Sequence, residues 1–581
     1  MDRTLRILSA LVWAVALAEP AQWWEVGPIY QIYPASFADS DGDGIGDLNG
    51  IRSHVDHFAD IGLEAVWLSP IFDSPMRDNG YDISDYEKIN PMFGTMEDFQ
   101  DLVTALHGKG IKLMLDLVPN HTSNDSAWFQ DSVNQRNNRS DWYVWQNPGS
   151  YSGDGSPMPP NNWVSLFGGS AWTYNEVRKQ YYLHQFGDFQ PDMNYENEQL
   201  REAMKNVIRF WLGKGVDGFR VDAVPYIAET NYTSNEPVLS TPGCDSSNPS
   251  YDCLDHTLTK DQPYTFDVLK MFAQLFEEQN SSYSANPKVQ FLEAYTTLDV
   301  TMKYYSNHSN PFNFLMISNV NENTNATTLN SLIQQYMQAL PANAWPNWVT
   351  GNHDNPRIGT RMGSDLIDAM NMMDLLLPGT PVTYNGEEIG MTDGFIMPSQ
   401  RKDTANPSRD PERTPMQWNS TINAGFSTNT TSLYLPINPN YWQINVDTET
   451  KQTPSHLTIY KDLVTLNKKL ADNKENLSTT AFNDWVFAFK RSDYVVVINL
   501  NNEVETFQLK DLKLTSQDSL TVEIPSLNAI SFKKSQSVST SANVTFTPRS
   551  GVVFSLKSSG NSAYISFFLL PISAVLTFIR C

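Results

Sequence analysis

Two charged residues stand two positions apart in an otherwise apolar segment, Gly218-Phe219-Arg220-Val221-Asp222-Ala223-Val224-Pro225-Tyr226. In a β-strand, alternate residues point to the same face, so the side chains of Arg220 and Asp222 share one face. A guanidinium beside a carboxyl group keeps the carboxyl ionised, which is what a carboxylate nucleophile requires. The alternative is a structural ion pair, and the neighbouring segments of the chain decide between the two.

Three other segments carry polar side chains of the kinds that perform acid–base chemistry. They are Asp116-Leu117-Val118-Pro119-Asn120-His121, Phe291-Leu292-Glu293-Ala294-Tyr295 and Asn352-His353-Asp354. A single buried Asp or His is usually a satisfied structural group, but four such segments in chain order indicate a shared site. Carboxyl groups brought together in one site can divide the roles of nucleophile and proton donor between them.

Amphipathic helices alternate with short apolar strands along the chain. Apolar residues recur at helical spacing around residues 55–61, 99–106 and 200–212, and each helix is followed by a glycine-containing stop and a strand. This alternation predicts a parallel sheet, and the length favours a (β/α)8 barrel. Because residues at the carboxyl ends of barrel strands face the active site, the four polar segments are expected to converge there.

The alternation breaks twice. Residues 121–188 are rich in Asn, Ser, Gly, Pro and Trp and are too long for a bare loop, which predicts an inserted domain after the third strand. Beyond about residue 474 the helical signals fade, and antiparallel strands follow. The predicted fold class is α/β: a (β/α)8 TIM barrel over 19–120 and 189–473, an inserted domain over 121–188, and a C-terminal antiparallel β-sandwich domain over 474–556.

The composition is that of an acidic globular protein. The 581 residues are 40% hydrophobic, which is enough apolar material for a large core, and they carry a formal net charge of −25. Because a negatively charged surface repels polyanions, we expect no nucleic-acid partner.

Both ends of the chain carry targeting patterns. A basic start, an apolar run and the small-residue site Ala16-Leu17-Ala18 predict a cleavable signal peptide over residues 1–18. Small residues followed by an apolar tail over 565–579 predict a GPI-anchor signal over 557–581. A single-span tail anchor is the alternative, disfavoured by the short length and by Pro571. We therefore expect entry into the secretory pathway and a lipid anchor that attaches the protein to the extracellular face of the plasma membrane.

In a secreted protein, two further features of the sequence predict covalent modification: a pair of cysteines and a set of Asn-x-Ser/Thr sequences. Cys244 and Cys253 lie in a loop rich in Ser, Pro and Asn, and can close a disulfide in an oxidising compartment; the alternative is two free thiols. Asn-x-Ser/Thr sequences are candidate glycosylation sites. They begin at Asn124, Asn138, Asn231, Asn280, Asn307, Asn325, Asn419, Asn429, Asn476 and Asn543.

The four polar segments are similar to the four signature regions of glycoside hydrolase family 13, the α-amylase family. Gln190-Pro191-Asp192-Met193-Asn194 resembles the fifth region of that family, and residues 386–391 and 409–418 resemble its α-glucosidase and oligo-1,6-glucosidase branch. With the terminal patterns, the resemblance is strongest to membrane-bound insect gut maltases. It implies a retaining exo-acting α-1,4-glucosidase (maltase) on apical gut epithelium, acting on maltose, sucrose and short malto-oligosaccharides.

The resemblance also implies a role for individual residues. Asp222 would be the nucleophile, Glu293 the acid/base, favoured in its protonated form by apolar neighbours, and Asp354 the carboxylate that holds sugar hydroxyls. Ala223, a small residue after the nucleophile, implies a preference for α-1,4 over α-1,6 linkages. The implied substrate-binding residues are Tyr81 as a stacking platform, Asp82, His121, Arg220, His353, and Arg413, which would close the pocket by contacting Asp82.

The segment Asp39-Ser40-Asp41-Gly42-Asp43-Gly44-Ile45-Gly46-Asp47 alternates carboxylates with small residues. Calcium takes several oxygen ligands around one turn, and glycine permits the bend. A solvated acidic turn is the alternative. The resemblance implies a structural Ca²⁺ held by Asp39, Asp41, Asp43, Asp47 and the carbonyl of Ile45, and no organic cofactor.

Other functions fit parts of this sequence. Heavy chains of amino-acid transporters share the fold but lack the catalytic carboxylates. All three carboxylates are present in this sequence, which disfavours a transporter heavy chain. A sucrose isomerase or transglucosidase stays open, because water or a sugar can attack the same glycosyl-enzyme. A membrane receptor role, such as the docking of a bacterial toxin, also stays open, as does the choice between a monomer and a homodimer.

Overall fold

The computed structural model describes residues 21–245, 249–282, 287–404, 406, 408–428, 432–471 and 477–556. The predicted signal peptide over 1–18 and the predicted GPI-anchor signal over 557–581 lie outside the described residues. None of the helices that the described residues form has the length and apolar content that crossing a bilayer needs.

Eight parallel strands form one curled sheet in which neighbours follow chain order. They are β1 (Ile29–Ile32), β2 (Ala65–Leu68), β3 (Lys112–Leu117), β4 (Gly218–Val221), β5 (Val289–Leu292), β6 (Ser309–Pro311), β7 (Asn347–Val349) and β8 (Thr380–Tyr384). The hydrogen-bonded order is β6-β5-β4-β3-β2-β1-β8-β7, so the first and last strands pair. This order confirms the predicted (β/α)8 architecture.

The edges of β6 and β7 are joined by a side chain. Asn347 donates a hydrogen bond to the carbonyl of Pro311 at 2.8 Å and accepts one from the backbone N–H of Asn313 at 2.8 Å. One amide thus supplies a donor and an acceptor across the two edges, as a backbone ladder would.

Helices pack around the sheet with one apolar face each. In the helix Glu198–Gly213, Asn197 caps the first turn by accepting from the backbone N–H of Leu200, and the buried face includes Met204 and Trp211. The α-helices of the described residues are Trp23–Val26, Leu48–Ser53, Val55–Asp60, Met96–Gly108, Ala127–Val133, Glu198–Gly213, Pro263–Ser282, Leu298–Thr301, Leu315–Asn319, Ala326–Ala339, Ile358–Arg361, Ile367–Leu376, Val446–Thr450 and His456–Leu470.

The segment predicted as an inserted domain folds over the barrel mouth. It contains a three-stranded antiparallel sheet of Trp145–Gln146, Trp172–Asn175 and Gln180–Leu183, and a ribbon of Ser150–Tyr151 and Pro157–Met158. The segment is tied to the loop after β4 by Gln185, whose amide donates to Glu229 at 2.6 Å.

The C-terminal part contains antiparallel strands, as predicted. They are β9 (Ser478–Ala481), β10 (Val486–Arg491), β11 (Tyr494–Asn499), β12 (Glu505–Gln508), β13 (Ser519–Pro525), β14 (Ser537–Ser539), β15 (Asn543–Phe546) and β16 (Gly551–Ser555). The order β9-β10-β11-β16-β13-β14 forms one sheet, and β12 pairs with β15. Phe487 and Phe489 face the barrel core, whereas Val486 and Ala488 face the second sheet. Side-chain alternation therefore buries both faces of the larger sheet.

Two carboxyl groups are buried near the end of β8. Burial raises the pKa of Glu387 to about 8, and burial together with Glu387 raises the pKa of Asp374 well above its ordinary value. Between pH about 4 and pH about 8, folded Glu387 keeps a proton that the unfolded chain has released, so the free energy of unfolding falls as pH rises through this window.

We expect Glu387→Gln to remove this loss, because an amide of similar volume does not ionise. The Tm of the variant minus the Tm of the wild type should increase by several degrees from pH 5 to pH 9. Thermal unfolding at both pH values measures the difference, and Glu87→Gln, at an exposed position, is the matched control. A difference from wild type that is the same at both pH values would contradict the prediction.

Candidate active site

A cavity of about 280 Å³ lies at the carboxyl ends of the barrel strands. It contains the three carboxyl groups predicted to be catalytic, which come from the ends of β4, β5 and β7. The lining residues are Asp78, Tyr81, His121, Leu166, Phe167, Phe186, Asp222, Ala223, Pro225, Tyr226, Glu293, Tyr295, Asp354 and Arg409.

Arg220 on β4 joins two of these carboxyl groups from behind the cavity wall. Its Nη1 lies 2.5 Å from Oδ1 of Asp222, and its Nη2 lies 2.7 Å from Oε1 of Glu293. A third carboxyl group, that of Asp116 at the end of β3, lies 3.3 Å from Nη1. Two carboxyl groups on the two terminal nitrogens of one guanidinium are held side by side.

The backbone turns sharply after Asp222. Ala223 has φ +51° and ψ +34°, the left-handed region that non-glycine residues seldom adopt. This turn ends the path of β4 and directs the N–H of Ala223 to Oε2 of Glu293 at 2.8 Å. Glu293 is therefore fixed by Arg220 through one oxygen and by the strained backbone through the other.

The carboxyl groups around Arg220 compete for protons. Burial raises the pKa of Asp222; Arg220 opposes this shift, but Glu293 and Asp116 add to it. Burial likewise raises the pKa of Asp116 to about 7. The predicted effect of Arg220 on Asp222 is present, but burial and the other two carboxyl groups outweigh it. Burial and mutual repulsion therefore favour the neutral forms of Asp222 and Asp116 more than the contact with Arg220 alone would allow.

A hydrogen-bonded chain runs from Tyr81 to β1 behind the wall. The Tyr81 hydroxyl donates to Asp116 at 2.7 Å and lies 2.7 Å from Nε2 of His353, while Gln31 lies 2.6 Å from Nδ1 of His353. Burial lowers the pKa of His353 well below its ordinary value, so the neutral ring donates from Nε2 and accepts at Nδ1. His353 thus holds Tyr81 in place and does not itself line the cavity.

His121 lies in the cavity wall. Burial lowers its pKa to about 3, so the ring is neutral at physiological pH. Its Nε2 lies 3.2 Å from the carbonyl of Tyr81 and 3.1 Å from the amide of Gln190. These contacts orient a neutral ring that can hydrogen-bond a hydroxyl group.

Asp354 is held by two arginines from the loop after β8. Nη1 of Arg409 and Nη2 of Arg413 lie 3.1 Å and 2.9 Å from its Oδ1. Burial alone would raise the pKa of Asp354, but the charges of the neighbouring guanidinium groups help to lower it below its ordinary value. Asp354 is therefore an anion that faces the cavity and can accept hydrogen bonds from sugar hydroxyls.

The predicted contact between Arg413 and Asp82 is wrong. Asp82 is buried below the wall, where its carboxyl accepts from the hydroxyl of Ser74 at 2.9 Å and from the backbone N–H of Asp78 at 3.1 Å. Arg413 is buried beneath Asp354 and has a role in positioning it. The bonds of Asp82 hold the loop between the paired strands Phe72–Asp73 and Asp85–Ile89, and that loop presents Asp78 and Tyr81.

The pair that closes the cavity is Arg409 and Asp78, whose Nη2 and Oδ1 lie 3.0 Å apart. Sequence reasoning missed both residues, because acidic side chains flank Tyr81 on each side and only the turn decides which one faces the cavity. The available signal was Gly80, which has φ +100° and reverses the chain just before Tyr81.

We expect Asp78→Asn and Arg409→Gln each to raise KM for a glucoside substrate about tenfold or more, since a buried charge-assisted hydrogen bond is lost. The double variant should be little worse than Arg409→Gln, because each change removes the same contact. Steady-state kinetics of the four proteins measures the coupling. Effects that simply multiply would show that the two side chains act independently.

The acidic loop after β1 gathers three carboxylates. Asp39, Asp41 and Asp43 each offer an oxygen within 4.8 Å of the others. Burial raises the pKa of Asp43, and the neighbouring carboxylates add to the shift. Asp47, also predicted as a ligand, caps the following helix by accepting from the N–H of Gly50 at 2.8 Å. The three-carboxylate cluster is a donor set suited to a hard cation.

The predicted disulfide between Cys244 and Cys253 is confirmed. It lies in the loop after β4, two residues from Tyr251, whose hydroxyl donates to that of Tyr226 at 3.2 Å. Tyr226 lines the cavity, so the disulfide restrains a loop that supports the cavity wall.

Comparisons with known proteins agree with this geometry. The family model described as the α-amylase catalytic domain matches residues 31–474. The α-glucosidase of Apis mellifera is 42% identical over 504 residues, which cover 83% of this chain and 86% of that protein. Maltase A1 of Drosophila melanogaster is 42% identical over 532 residues, which cover 87% of this chain and 91% of that protein. The crystal structure of the α-glucosyl transfer enzyme XgtA superposes with a TM-score of 0.80 at 30% identity. The match covers 92% of this chain and 99% of that chain. The chain therefore belongs to the α-amylase family, glycoside hydrolase family 13, and is a glycoside hydrolase.

Proposed function

We propose that this protein is a retaining, exo-acting α-1,4-glucosidase that releases glucose from maltose, sucrose and short malto-oligosaccharides. The observation that carries the proposal is that Asp222 and Glu293 bind the two terminal nitrogens of one guanidinium. Retaining enzymes hold their two carboxyl groups about 5–5.5 Å apart, whereas inverting enzymes separate them by about 6.5–9.5 Å to admit a water molecule. A shared guanidinium fits the shorter separation.

In this mechanism, Asp222 attacks the anomeric carbon and forms a glycosyl ester while Glu293 gives its proton to the leaving oxygen. Glu293 then removes a proton from water, which attacks the same carbon and releases Asp222. Arg220 contacts both carboxyl groups, so it remains paired as charge moves from one to the other. Asp354 accepts hydrogen bonds from sugar hydroxyls, and its negative charge stabilises the positive charge that develops on the ring.

The shape of the cavity supports the proposed exo mode. Its volume of about 280 Å³ is small for a ligand site. The bridge from Asp78 through Arg409 to Asp354 forms part of its wall, so a polymer does not pass through on that side. Such a blind pocket accepts one terminal sugar unit. The maltase and α-glucosidase names of the relatives support the same substrate class.

Proton NMR of the first glucose released from maltose tests the proposal. The α-anomer should form first and then mutarotate, whereas initial β-glucose would overturn retention. Because Ala223 is small, maltose should be cleaved faster than isomaltose. An isomeric disaccharide formed from sucrose would favour the isomerase alternative. A protein that cleaves none of maltose, isomaltose and sucrose would refute the hydrolase proposal.

We also propose a structural Ca²⁺ in the loop after β1. Asp39, Asp41 and Asp43 would hold it with the carbonyl of Ile45, and Asp47 would support the loop. The clustering of three carboxylate oxygens within 4.8 Å, and the raised pKa of Asp43, fit this ion because a cation relieves the repulsion among them. The ion would stabilise the fold and take no part in bond cleavage.

Compared with protein saturated with Ca²⁺, protein treated with EGTA is expected to have a Tm about 2–4 °C lower, and added Ca²⁺ should restore the Tm. Asp41→Asn should reduce this response, while Asp188→Asn, at an exposed position elsewhere, should preserve it. Differential scanning calorimetry with and without chelator makes the comparison. A wild-type Tm that changes with neither EGTA nor added Ca²⁺ would refute the proposed site.

We propose that the chain is secreted and anchored by lipid to the cell surface. The terminal sequence patterns support this, and the disulfide is compatible with an oxidising compartment. Release of the protein from intact cells by a phosphatidylinositol-specific phospholipase C tests the anchor. Retention after treatment, with a control GPI protein released, would favour the tail-anchor alternative.

A further inference from the structure

The hydrogen-bonded chain behind the cavity wall begins at Gln31 on β1. Gln31 is 0% exposed, and its amide nitrogen lies 2.6 Å from Nδ1 of His353 and 3.2 Å from the hydroxyl oxygen of Ser69. The chain continues from Nε2 of His353 through the Tyr81 hydroxyl to Asp116, with 2.7 Å at each step. Gln31 does not line the catalytic cavity, so any effect it has on the reaction passes along this chain.

Such a chain can run in either of two directions. A neutral imidazole carries one N–H group, so a ring that donates from Nε2 accepts at Nδ1, and a ring that donates from Nδ1 accepts at Nε2. A glutamine amide can present either its N–H group or its oxygen to the ring. The contacts of Gln31 alone therefore do not fix the direction, and the groups at the other end of the chain decide it.

The carboxyl groups at the other end favour donation from Nε2. Asp116 accepts from Nε1–H of Trp67 at 2.9 Å and lies 3.3 Å from Nη1 of Arg220, which are the contacts of a carboxylate. A carboxylate also takes the hydroxyl proton of Tyr81, which leaves the Tyr81 oxygen to accept from Nε2–H. Oδ2 of Asp354 lies 3.5 Å from the same Nε2, where an N–H group is attracted and a lone pair is repelled.

Donation from Nε2 creates a need that Gln31 meets. Burial lowers the pKa of His353 well below its ordinary value; Asp354 opposes this shift, and nearby arginines, among them Arg413, add to it. A neutral ring that donates from Nε2 has an unprotonated Nδ1, which needs a donor because it is buried. The amide nitrogen of Gln31 is that donor, although its own oxygen then has no partner among the described residues.

We propose that Gln31 is a positioning residue for the reaction: its amide donor holds His353 in the tautomer that donates from Nε2, and so keeps the Tyr81 hydroxyl bonded to Asp116. In the reversed tautomer Tyr81 donates to His353, and lone pairs then face each other between Tyr81 and Asp116 and between the ring and Asp354. Tyr81 and Asp354 line the cavity, so reversal disturbs it at two places. The effect of Gln31 on the rate rests on the proposed glucosidase function, whereas the tautomer of His353 does not.

Gln31→Glu tests the proposal, because a carboxyl group changes from donor to acceptor when it loses its proton. At low pH the protonated group can donate to Nδ1, as the amide does in wild type. Once ionised, it accepts from Nδ1–H and reverses the ring. Burial raises the pKa of such a carboxyl group above the ordinary value of about 4.3. The ratio of kcat/KM for maltose in the variant to that in wild type should therefore fall about tenfold or more from pH 5 to pH 9.

Gln290→Glu is the matched control. Gln290 on β5 is also 0% exposed, donates to the hydroxyl of Ser309 at 2.6 Å, and has an amide oxygen without a partner among the described residues. The change buries the same carboxyl group outside the chain, so its ratio should stay within about threefold over the same pH range. A flat ratio for Gln31→Glu, or equal slopes in the two variants, would overturn the proposal.

A neutral pair of variants keeps the test if circular dichroism shows that either carboxyl variant unfolds. Gln31→Met removes the donor at similar length, and kcat/KM for maltose should fall about tenfold. Gln290→Met removes an equivalent buried donor outside the chain and should stay within about threefold of wild type. Equal losses in this pair would likewise overturn the proposal.

Nitrogen NMR of histidine-labelled protein measures the tautomer without turnover. The protein has nine histidines, and the ring signals absent from His353→Gln belong to His353. We expect the ring proton on Nε2 in wild type and on Nδ1 in Gln31→Glu at pH 9. A wild-type proton on Nδ1 would overturn the proposal even in an active enzyme. A wild type with the proton on Nε2 that hydrolyses no glucoside would refute the glucosidase proposal alone.

Discussion

Asp222→Asn is expected to lower kcat for maltose hydrolysis by about 10⁴-fold or more, the scale of loss seen when a catalytic nucleophile is removed. The amide has nearly the same volume as the carboxyl group and can still accept a hydrogen bond from Arg220. It is a far weaker nucleophile, so the glycosyl ester does not form at a useful rate. Glucose release from maltose under steady-state conditions measures the loss.

The Asp222→Asn variant should remain folded. Arg220 keeps its contacts with Glu293 and Asp116. The change also removes one buried carboxyl group from a cluster that competes for protons, so Tm at pH 7 should not fall. Asp188→Asn, the same change at an exposed position, is the matched control and should retain full activity. Activity of the Asp222 variant within tenfold of wild type would rule out the nucleophile assignment.

Glu293→Gln is expected to lower kcat/KM for maltose by about 10²–10⁴-fold, the usual contribution of a general acid. The loss should be much smaller for 4-nitrophenyl α-glucoside in the step that cleaves the aglycone, because nitrophenolate leaves without a proton. Parallel kinetics on the two substrates measures the difference.

Glu229→Gln is the control for the second prediction. Glu229 is buried close to the site but does not line the cavity, and its carboxyl accepts from Gln185 at 2.6 Å. A change there should affect both substrates equally, through the packing of the inserted segment. Equal losses on maltose and the nitrophenyl glucoside in Glu293→Gln would instead show a structural role for Glu293.

The sequence by itself determined the barrel, the C-terminal antiparallel strands and the three carboxyl groups. These features are readable because they depend on local rules. The spacing of apolar residues separates helix from strand, and strand direction places the residues after a parallel strand at one edge of the sheet. Asp222, Glu293 and Asp354 follow β4, β5 and β7, so strand direction alone predicts that they meet at the catalytic cavity.

Only the tertiary structure decided which neighbours these groups have. Asp78, and not Asp82, faces the cavity because of one turn at Gly80, and its partner Arg409 lies 331 positions away in the chain. The pKa of Asp222 depends on burial and on carboxyl groups from β3 and β5, so the motif around Arg220 could not reveal that this pKa is raised. Distances between remote segments, which electrostatics and shape depend on, are set by packing and not by local sequence pattern.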